Sequence, residues 1–295
     1  MTSDKLRIHS RPTLKNGRML LAFAGWMDGG DVSTGTVERF VDEFDAAPVA
    51  EIESEGFYIY SFPGNMELNA LFRPHIKIEE GIVQKVEIPK NRFFCSEEQN
   101  LALFLGKEPN LNWQEFSRCV FEFAVEIGVT SIYFVGSFAG TVPHTREPRL
   151  HVSVSHPRLK TDLQKYGLRP TNYEGPGSFM TYLTSQASGR GLEMANIVAE
   201  IPHYLQGTNP LSIESVSRHL AAILGMEIDL AALRCTSNEW ESRVSKYVQD
   251  DDDMVEEIRK LEKQYDDELL EATTDYGLSE NDLFGNVSPS DEDSD

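Results

Sequence analysis

Residues 19–44, MLLAFAGWMDGGDVSTGTVERFVDEF, carry the clearest signal for the architecture of this protein. The apolar run at 19–24 predicts a short buried strand, which Gly25 ends. Turn-forming residues follow at 28–31. Apolar residues then recur at helical spacing over residues 32–44. The segment therefore predicts a strand, a glycine-rich turn and a helix.

The same order of elements recurs later in the chain. Residues 113–127 show helical spacing, and an apolar run at 131–135 follows them and ends at Gly136. A third apolar run at 197–201 precedes a helical pattern at 211–224. Strands that alternate with helices at this spacing favour βαβ units and a parallel sheet.

Residues 50–88 depart from this alternation. They are rich in Ile, Tyr, Phe and Val, and turn residues occur at Pro63, Gly64 and Gly81. This pattern predicts antiparallel strands or an antiparallel excursion from the sheet. We therefore expect an α/β fold with a mixed, mostly parallel sheet flanked by helices.

Composition and charge exclude several classes of protein. The 295 residues are 40% hydrophobic and 25% charged, as in an ordinary globular chain. The 27 Lys and Arg against 48 Asp and Glu give a net charge of -21, which repels nucleic-acid phosphates and anionic headgroups. The sequence contains no apolar run of membrane-spanning length. We therefore expect neither a nucleic acid nor a membrane as a partner, and the three widely spaced cysteines indicate a cytoplasmic protein.

The C-terminal part of the sequence has its own pattern. From Trp240 to Leu269, apolar residues recur in steps of three and four, which predicts a helical segment with a narrow apolar stripe. The four aspartates at 250–253 lie either within one continuous helix or at the start of a second helix after a break. Adjacent carboxylates on a helix do not converge on one ion, so we expect no metal there.

These patterns divide the chain into three parts. Residues 1–236 form the α/β domain, and residues 237–272 form a helical extension that packs on the body or on a neighbouring subunit. Residues 273–295 are acidic, contain no Lys or Arg, and are predicted to be a disordered tail.

Three loops place polar residues directly after predicted strands. They cover residues 25–31, 136–148 and 202–210. Because the carboxyl ends of parallel strands share one edge of a sheet, where α/β proteins bind ligands, we expect the three loops to meet in one crevice.

The first loop offers Asp28, Gly29 and Gly30 as ligand-binding candidates. Glycines before a helix can present backbone N–H groups to an anion. The alternative is a tight turn in which Asp31 caps the helix. The loop matches neither the dinucleotide-binding nor the P-loop pattern, so we expect no nucleotide cofactor.

The second loop adds His144 and Arg146, which lie between two prolines. This pair suits a general base and a phosphate clamp. It equally suits a rigid loop in which Arg146 pairs with Glu147 or Asp28 and His144 bonds a backbone carbonyl.

The third loop adds His203 and Tyr204, and the turn at 173–177 adds Glu174 as a candidate at the same edge. The histidines of the second and third loops lack a third ligand at metal-site spacing. Ser137 does not occupy the middle of a G-x-S-x-G elbow. We therefore assign no catalytic residue, no metal and no cofactor.

Five motifs occur in a fixed order within residues 19–270. They are GWMDGG at 25–30, PHTR at 143–146, YEGP at 173–176, PHY at 202–204 and a long acidic helix that ends near Tyr265. In this order they resemble the proteasome assembly chaperone 2 family. The resemblance implies a phosphorylase- or hydrolase-like fold and a role similar to that of chaperones that escort proteasome α subunits.

The resemblance implies a non-enzymatic assembly chaperone or scaffold that binds a protein partner or associates with itself as a homo-oligomer. Family members that dock on proteasome α rings often end in a hydrophobic residue, Tyr and one further residue. This sequence ends SDEDSD at 290–295, so proteasome subunits are not the expected partner. The alternative function is an enzyme or binder of a small phosphate- or nucleoside-containing ligand at the carboxyl edge of the sheet.

Overall fold

A nine-stranded sheet forms the centre of the protein in the computed structural model, which describes residues 3–276. The strands of the described residues are β1 Leu6–Ile8, β2 Gly17–Ala24, β3 Ala47–Ile52, β4 His75–Glu79, β5 Ile82–Glu87, β6 Asn91–Ser96, β7 Leu101–Lys107, β8 Val129–Gly140, β9 Arg149–Val154, β10 Arg169–Pro170 and β11 Glu193–Pro202. The helices are α1 Val32–Glu43, α2 Met66–Ala70, α3 Trp113–Glu126, α4 Pro157–Gln164, α5 Phe179–Ala187, α6 Pro210–Leu224, α7 Ala231–Val248 and α8 Asp252–Tyr276.

The sheet is mixed, with a parallel centre. Its strand order is β1-β3-β6-β7-β2-β8-β11-β9-β10. The neighbours from β7 through β2 and β8 to β11 are all parallel. Strands β1, β3 and β6 add to one side of this centre in antiparallel pairs, and β9 pairs antiparallel with β11 on the other side. The predicted α/β fold with a mixed sheet flanked by helices is confirmed.

Both faces of the sheet are buried, which explains the unbroken apolar run in β2. Met19, Leu21 and Phe23 lie in one core, while Leu20 and Ala22 lie in the other, because successive side chains of a strand point to opposite faces. The first core is packed with phenylalanine rings from the sheet, α3 and α5, and the second is covered by α1, α4 and α6.

The strand after α3 is longer than expected. The prediction ended it at Gly136, but β8 continues to Gly140, where it pairs with Pro202 of β11. Glycine is required inside this strand by packing, because a Cβ at Gly136 would lie 2.7 Å from the ring of Phe134. The loop predicted to start at Gly136 therefore starts at Thr141.

Residues 50–88 form the antiparallel excursion that the sequence predicts. Strand β3 joins the main sheet, whereas β4 and β5 pair only with each other as a separate hairpin. The helix α2 precedes this hairpin and begins after Asn65, whose side chain accepts a hydrogen bond from the Leu68 amide.

The C-terminal segment consists of two helices with a break between them, which is one of the two predicted arrangements. Helix α7 ends at Val248 and α8 begins at Asp252. The Asp251 side chain accepts hydrogen bonds from the amides of Asp253 and Met254, as a capping residue does. Helix α8 extends to Tyr276, so it includes the first four residues of the predicted tail, and residues 277–295 lie outside the described residues. None of the helices in the described range is apolar enough over sufficient length to cross a bilayer.

Candidate functional site

The three predicted loops meet at the carboxyl edge of the sheet, as expected from the parallel strands β2, β8 and β11. Asp28 forms an isolated β-bridge with Ser137 of β8. The amide of His203 donates to the carbonyl of Gly140 at 3.1 Å, and the amide of Asn209 donates to the carbonyl of Gly30 at 2.8 Å. Backbone hydrogen bonds therefore connect all three loops.

Asp28 binds the start of α1. Its carboxylate accepts hydrogen bonds from the amide of Thr34 at 3.0 Å and from the Thr34 hydroxyl at 2.8 Å. Burial raises the pKa of Asp28 to about 6, although these two hydrogen bonds act in the opposite direction. The prediction that Asp31 caps α1 is wrong, because Asp31 makes no capping bond and instead accepts from the Thr208 hydroxyl at 2.6 Å.

Gly29 and Gly30 serve the packing of the turn. Gly30 has a φ of +65°, and a Cβ there would lie 2.9 Å from the Cβ of Asn209. The carbonyl of Gly29 accepts a hydrogen bond from the Ser137 hydroxyl at 2.6 Å. The loops are thus in close contact at the glycines, which a larger residue would force apart.

His144 and Tyr204 lie together, and His144 also contacts α7. The Tyr204 oxygen accepts a hydrogen bond from the His144 amide and lies 2.8 Å from its Nδ1, while Nε2 lies 3.1 Å from the Ser245 hydroxyl. Burial lowers the pKa of His144 and raises that of Tyr204 to about 12, so the ring and the phenol are both neutral at pH 7. The predicted bond from the His144 side chain to a backbone carbonyl is replaced by these two hydroxyl contacts.

Arg146 anchors α8. Its guanidinium forms two hydrogen bonds of 2.9 Å with the carboxylate of Asp266, and Glu262 lies 3.8 Å away. The neighbouring Thr145 hydroxyl donates to Glu262 at 2.5 Å. The predicted pairing of Arg146 with Glu147 or Asp28 is wrong, because Glu147 instead pairs with Arg218.

The remaining candidates occupy different surroundings. His203 lies 3.0 Å from the Gly140 carbonyl through Nδ1 and 3.5 Å from Glu257 of α8 through Nε2. Glu174 is exposed and makes no hydrogen bond or ion pair with the other described residues. The contacts of His144, Arg146 and His203 with α7 and α8 show where the C-terminal helices lie. Of the two predicted arrangements, on the body or on a neighbouring subunit, the structure has these helices packed on the loop edge of the body.

A buried charge cluster beside this edge was missed by sequence reasoning. Arg149 of β9 contacts Glu200 of β11 at 3.5 Å and Glu268 of α8 at 3.0 Å, and its guanidinium lies 4.7 Å from the centre of the Tyr265 ring. His151 Nε2 lies 3.4 Å from Glu200. These residues come from three separate elements, so no spacing in the sequence signals the cluster.

Glu200 is charged despite its burial. Burial acts to raise its pKa, but hydrogen bonds from His151 and from the Thr141 amide, together with the charge of Arg149, outweigh that effect and hold the pKa at about 2. The cluster therefore contains a buried, ionised carboxylate, Glu200, which the positive charge of Arg149 stabilises. Within the described residues, no three His, Cys, Asp or Glu side chains lie close enough together to bind a metal ion.

Comparisons with known proteins agree with this architecture. A family model described as the PAC2 family matches residues 22–248. A proteasome-assembly chaperone homologue from Mycobacterium tuberculosis has a TM-score of 0.71 at 25% identity, covering 82% of this chain and 99% of its own. A PAC2 family protein from Streptomyces avermitilis has a TM-score of 0.67 at 26% identity, with coverage of 82% and 99%.

The likeness of fold extends to archaea. A proteasome activator from Pyrococcus furiosus has a TM-score of 0.62 at 20% identity, covering 84% of this chain and 99% of its own. A comparison with curated proteins gives no match. Because the matched residues 22–248 contain all three loops, the resemblance inferred from the motifs is confirmed. The chain belongs to the PAC2 family.

Proposed function

We propose that this protein is a non-enzymatic, chaperone-like protein that acts by binding other proteins. Its membership of the PAC2 family and its similarity to a proteasome-assembly chaperone homologue support this role. The loop edge supports it as well, since the side chains of His144, Arg146 and His203 are engaged by the C-terminal helices.

The observation that carries the proposal is an exposed apolar arm, residues 64–88, which contains α2 and the β4–β5 hairpin. None of its residues belongs to either buried apolar core of the described chain. Nine of its ten large apolar side chains are about half exposed or more, and the tenth, Phe72, packs on Phe62. The nine are Met66, Leu68, Leu71, Ile76, Ile78, Ile82, Val83, Val86 and Ile88.

The hairpin of the arm has one apolar and one charged face. Ile76 pairs with Val86 across the strands, whereas the next pair along is Lys77 with Lys85. Lys77 and Lys85 form ion pairs with glutamates of the same hairpin. A two-stranded hairpin alone has little stability in water, and a contiguous exposed apolar patch marks an interaction site. A protein partner that covers the apolar face accounts for both features.

The partner is either a different protein or a second copy of this chain, which would make the protein a homo-oligomer. An affinity capture of the tagged protein from its native lysate, combined with sedimentation of the purified protein, distinguishes these two. The variant Ile76→Ser/Val86→Ser removes apolar area from one face of the hairpin. The variant Lys77→Ser/Lys85→Ser changes the adjacent pair on the other face and is the matched control.

We expect the wild type to retain a stoichiometric partner, or to sediment as an oligomer. The apolar-face variant should weaken that association about tenfold or more, because about 1 kcal/mol or more is lost with each buried aliphatic side chain. The charged-face variant should change it less than about twofold, as for surface ion pairs. A wild-type protein without any stoichiometric partner, or equal effects of both variants, would contradict the proposal.

The charges at the sheet edge do not favour the alternative function, which is binding of a phosphate-containing ligand. Arg146 is the cation best placed for it, but the carboxylates of Asp266 and Glu262 already neutralise its charge. Two carboxylates so close to the guanidinium also repel a phosphate.

We further propose that the protein is cytoplasmic. Cys95 and Cys119 are buried free thiols, and Cys235 is a free thiol on the surface. Unpaired cysteines of this kind are typical of a reducing compartment.

A further inference from the structure

A cavity of about 310 Å³ opens on the face of the sheet that carries α5. Its floor contains Phe134 of β8 and Val198 of β11, and Met180 of α5 forms part of its wall. Trp26, Phe138 and Tyr173 also line it, and their side chains are 61%, 39% and 68% exposed. Three aromatic rings on three separate segments therefore surround the opening of an apolar cavity.

The lining of the cavity carries almost no charge. Among the described residues that line it there is no Lys, Arg, Asp or Glu, and His151 is the one histidine. A phosphate or carboxylate would find no cation in this lining, and an ammonium group would find no carboxylate. Because burial of an unpaired charge is costly, the lining selects a neutral occupant.

His151 supplies a polar contact at the cavity. Its Nε2 lies 3.4 Å from the carboxylate of Glu200, which orients the ring and favours the tautomer with hydrogen on Nε2. Its Nδ1 has no hydrogen-bond partner among residues 3–276. In that tautomer Nδ1 is an acceptor, so an occupant with an O–H or N–H group satisfies it. The Phe138 ring lies 5.6 Å from the His151 ring and can contact the same occupant.

We propose that this cavity binds a neutral, planar aromatic compound of one or two rings that carries one hydrogen-bond donor. The size of the cavity is at the lower end of small-molecule sites, about 300–1,000 Å³, which limits the occupant to a small compound. The exposed aromatic rings contact the faces of the ligand, and His151 accepts its hydrogen bond. This site is separate from the arm and does not depend on the proposed protein-binding function.

Calorimetric titration of the full-length protein with 2-naphthol tests the proposal. The matched probes are 2-naphthoate, which is anionic, and decahydro-2-naphthol, which keeps the hydroxyl but is not aromatic. We expect 2-naphthol to bind at one site per chain, with both matched probes binding about tenfold or more weakly.

Variants then locate the site. Trp26→Ala and Phe138→Ala should each weaken 2-naphthol binding about fivefold to tenfold, because each removes one aromatic contact at the opening. Tyr247→Ala removes another exposed aromatic side chain, on α7, and should leave binding unchanged. His151→Phe removes the acceptor and should reduce the preference for 2-naphthol over 2-methylnaphthalene. Melting temperatures of all variants check that each remains folded.

Three results with the naphthalene probes would overturn the proposal. They are no saturable binding of 2-naphthol at millimolar concentration, equal binding of 2-naphthoate, and binding that the Trp26 and Phe138 variants do not weaken. Binding of a blocked phenylalanine peptide in place of 2-naphthol would assign the cavity to a protein side chain and would also overturn it.

Discussion

At Asp28, burial and hydrogen bonding act on the carboxyl group in opposite directions, and burial has the larger effect. The two bonds from Thr34 favour the carboxylate, yet the pKa is raised from 3.8 to about 6. The folded protein therefore binds the Asp28 proton more tightly than the unfolded chain does. Protonation of this residue stabilises the fold, and its stabilising effect is lost as the pH rises from about 4 through 6.

This effect predicts a pH-dependent difference between the wild type and Asp28→Asn. The amide keeps an oxygen that accepts from the Thr34 amide, but it does not titrate. The free energy of unfolding of the wild type, measured relative to the variant, should fall by up to about 3 kcal/mol between pH 3.5 and 7 and stay flat above pH 7, since one pKa unit corresponds to about 1.4 kcal/mol. Urea unfolding at several pH values measures it, and a constant difference over that interval would contradict the prediction.

At the same turn, the sequence rule for helix-capping residues fails. The position of Asp31 before α1 predicts a capping residue, but the rule assumes an extended backbone at that position. Asp31 instead has a φ of +54°, which directs its side chain to Thr208. The loop–loop contact that imposes this backbone involves residues 177 positions apart, so the sequence predicts the turn and not the capping residue.

Helix α8 is attached to the body by two arginines that differ in burial. Arg146 is about one third exposed and pairs with Asp266, whereas the Arg149 side chain is 5% exposed and lies between Glu200 and Glu268. The partly exposed pair is screened by water and contributes little. The loss of Arg149, in contrast, leaves the buried Glu200 carboxylate without its guanidinium partner.

Arg149→Met should therefore lower the free energy of unfolding by about 3–5 kcal/mol, and Arg146→Met by at most about 1 kcal/mol. Methionine keeps part of the apolar stem in both variants. Denaturant unfolding at pH 7 gives the stabilities, and hydrogen exchange of the α8 amides reports whether the helix detaches. Equal losses in the two variants would show that burial does not decide the strength of the attachment.

Elements with a clear local period could be predicted, and the features that depend on distant pairing could not. The strands at 19–24 and 197–201 and the helices α1, α3 and α6 follow from apolar spacing alone. The extension of β8 past Gly136 depends on its pairing with β11, which no local pattern reveals. The break between α7 and α8 was only one of two readings, because a run of aspartates fits both the inside and the start of a helix.

For the whole molecule, the rule that parallel strands end at one edge correctly brought the three loops together. It did not indicate that α7 and α8 cover this edge, because the contacts of Arg146 and His144 with these helices join residues more than 100 positions apart. The sequence also did not reveal the exposure of the arm, since apolar and polar residues alternate in β4 as they do in a strand with one buried face. Exposure depends on what the rest of the fold leaves uncovered.

The arm is separable from the rest of the protein, because its residues 64–88 add nothing to either apolar core. Replacing them with an eight-residue Gly–Ser linker should leave the melting temperature within about 3 °C of the wild type, since the shorter connection costs less closure entropy and offsets the few lost contacts. The same variant should lose the association that Ile76→Ser/Val86→Ser weakens. Calorimetry and sedimentation measure the two effects. A large drop in melting temperature would mean that the arm stabilises the fold, and retained association would place the protein-binding surface elsewhere on the molecule.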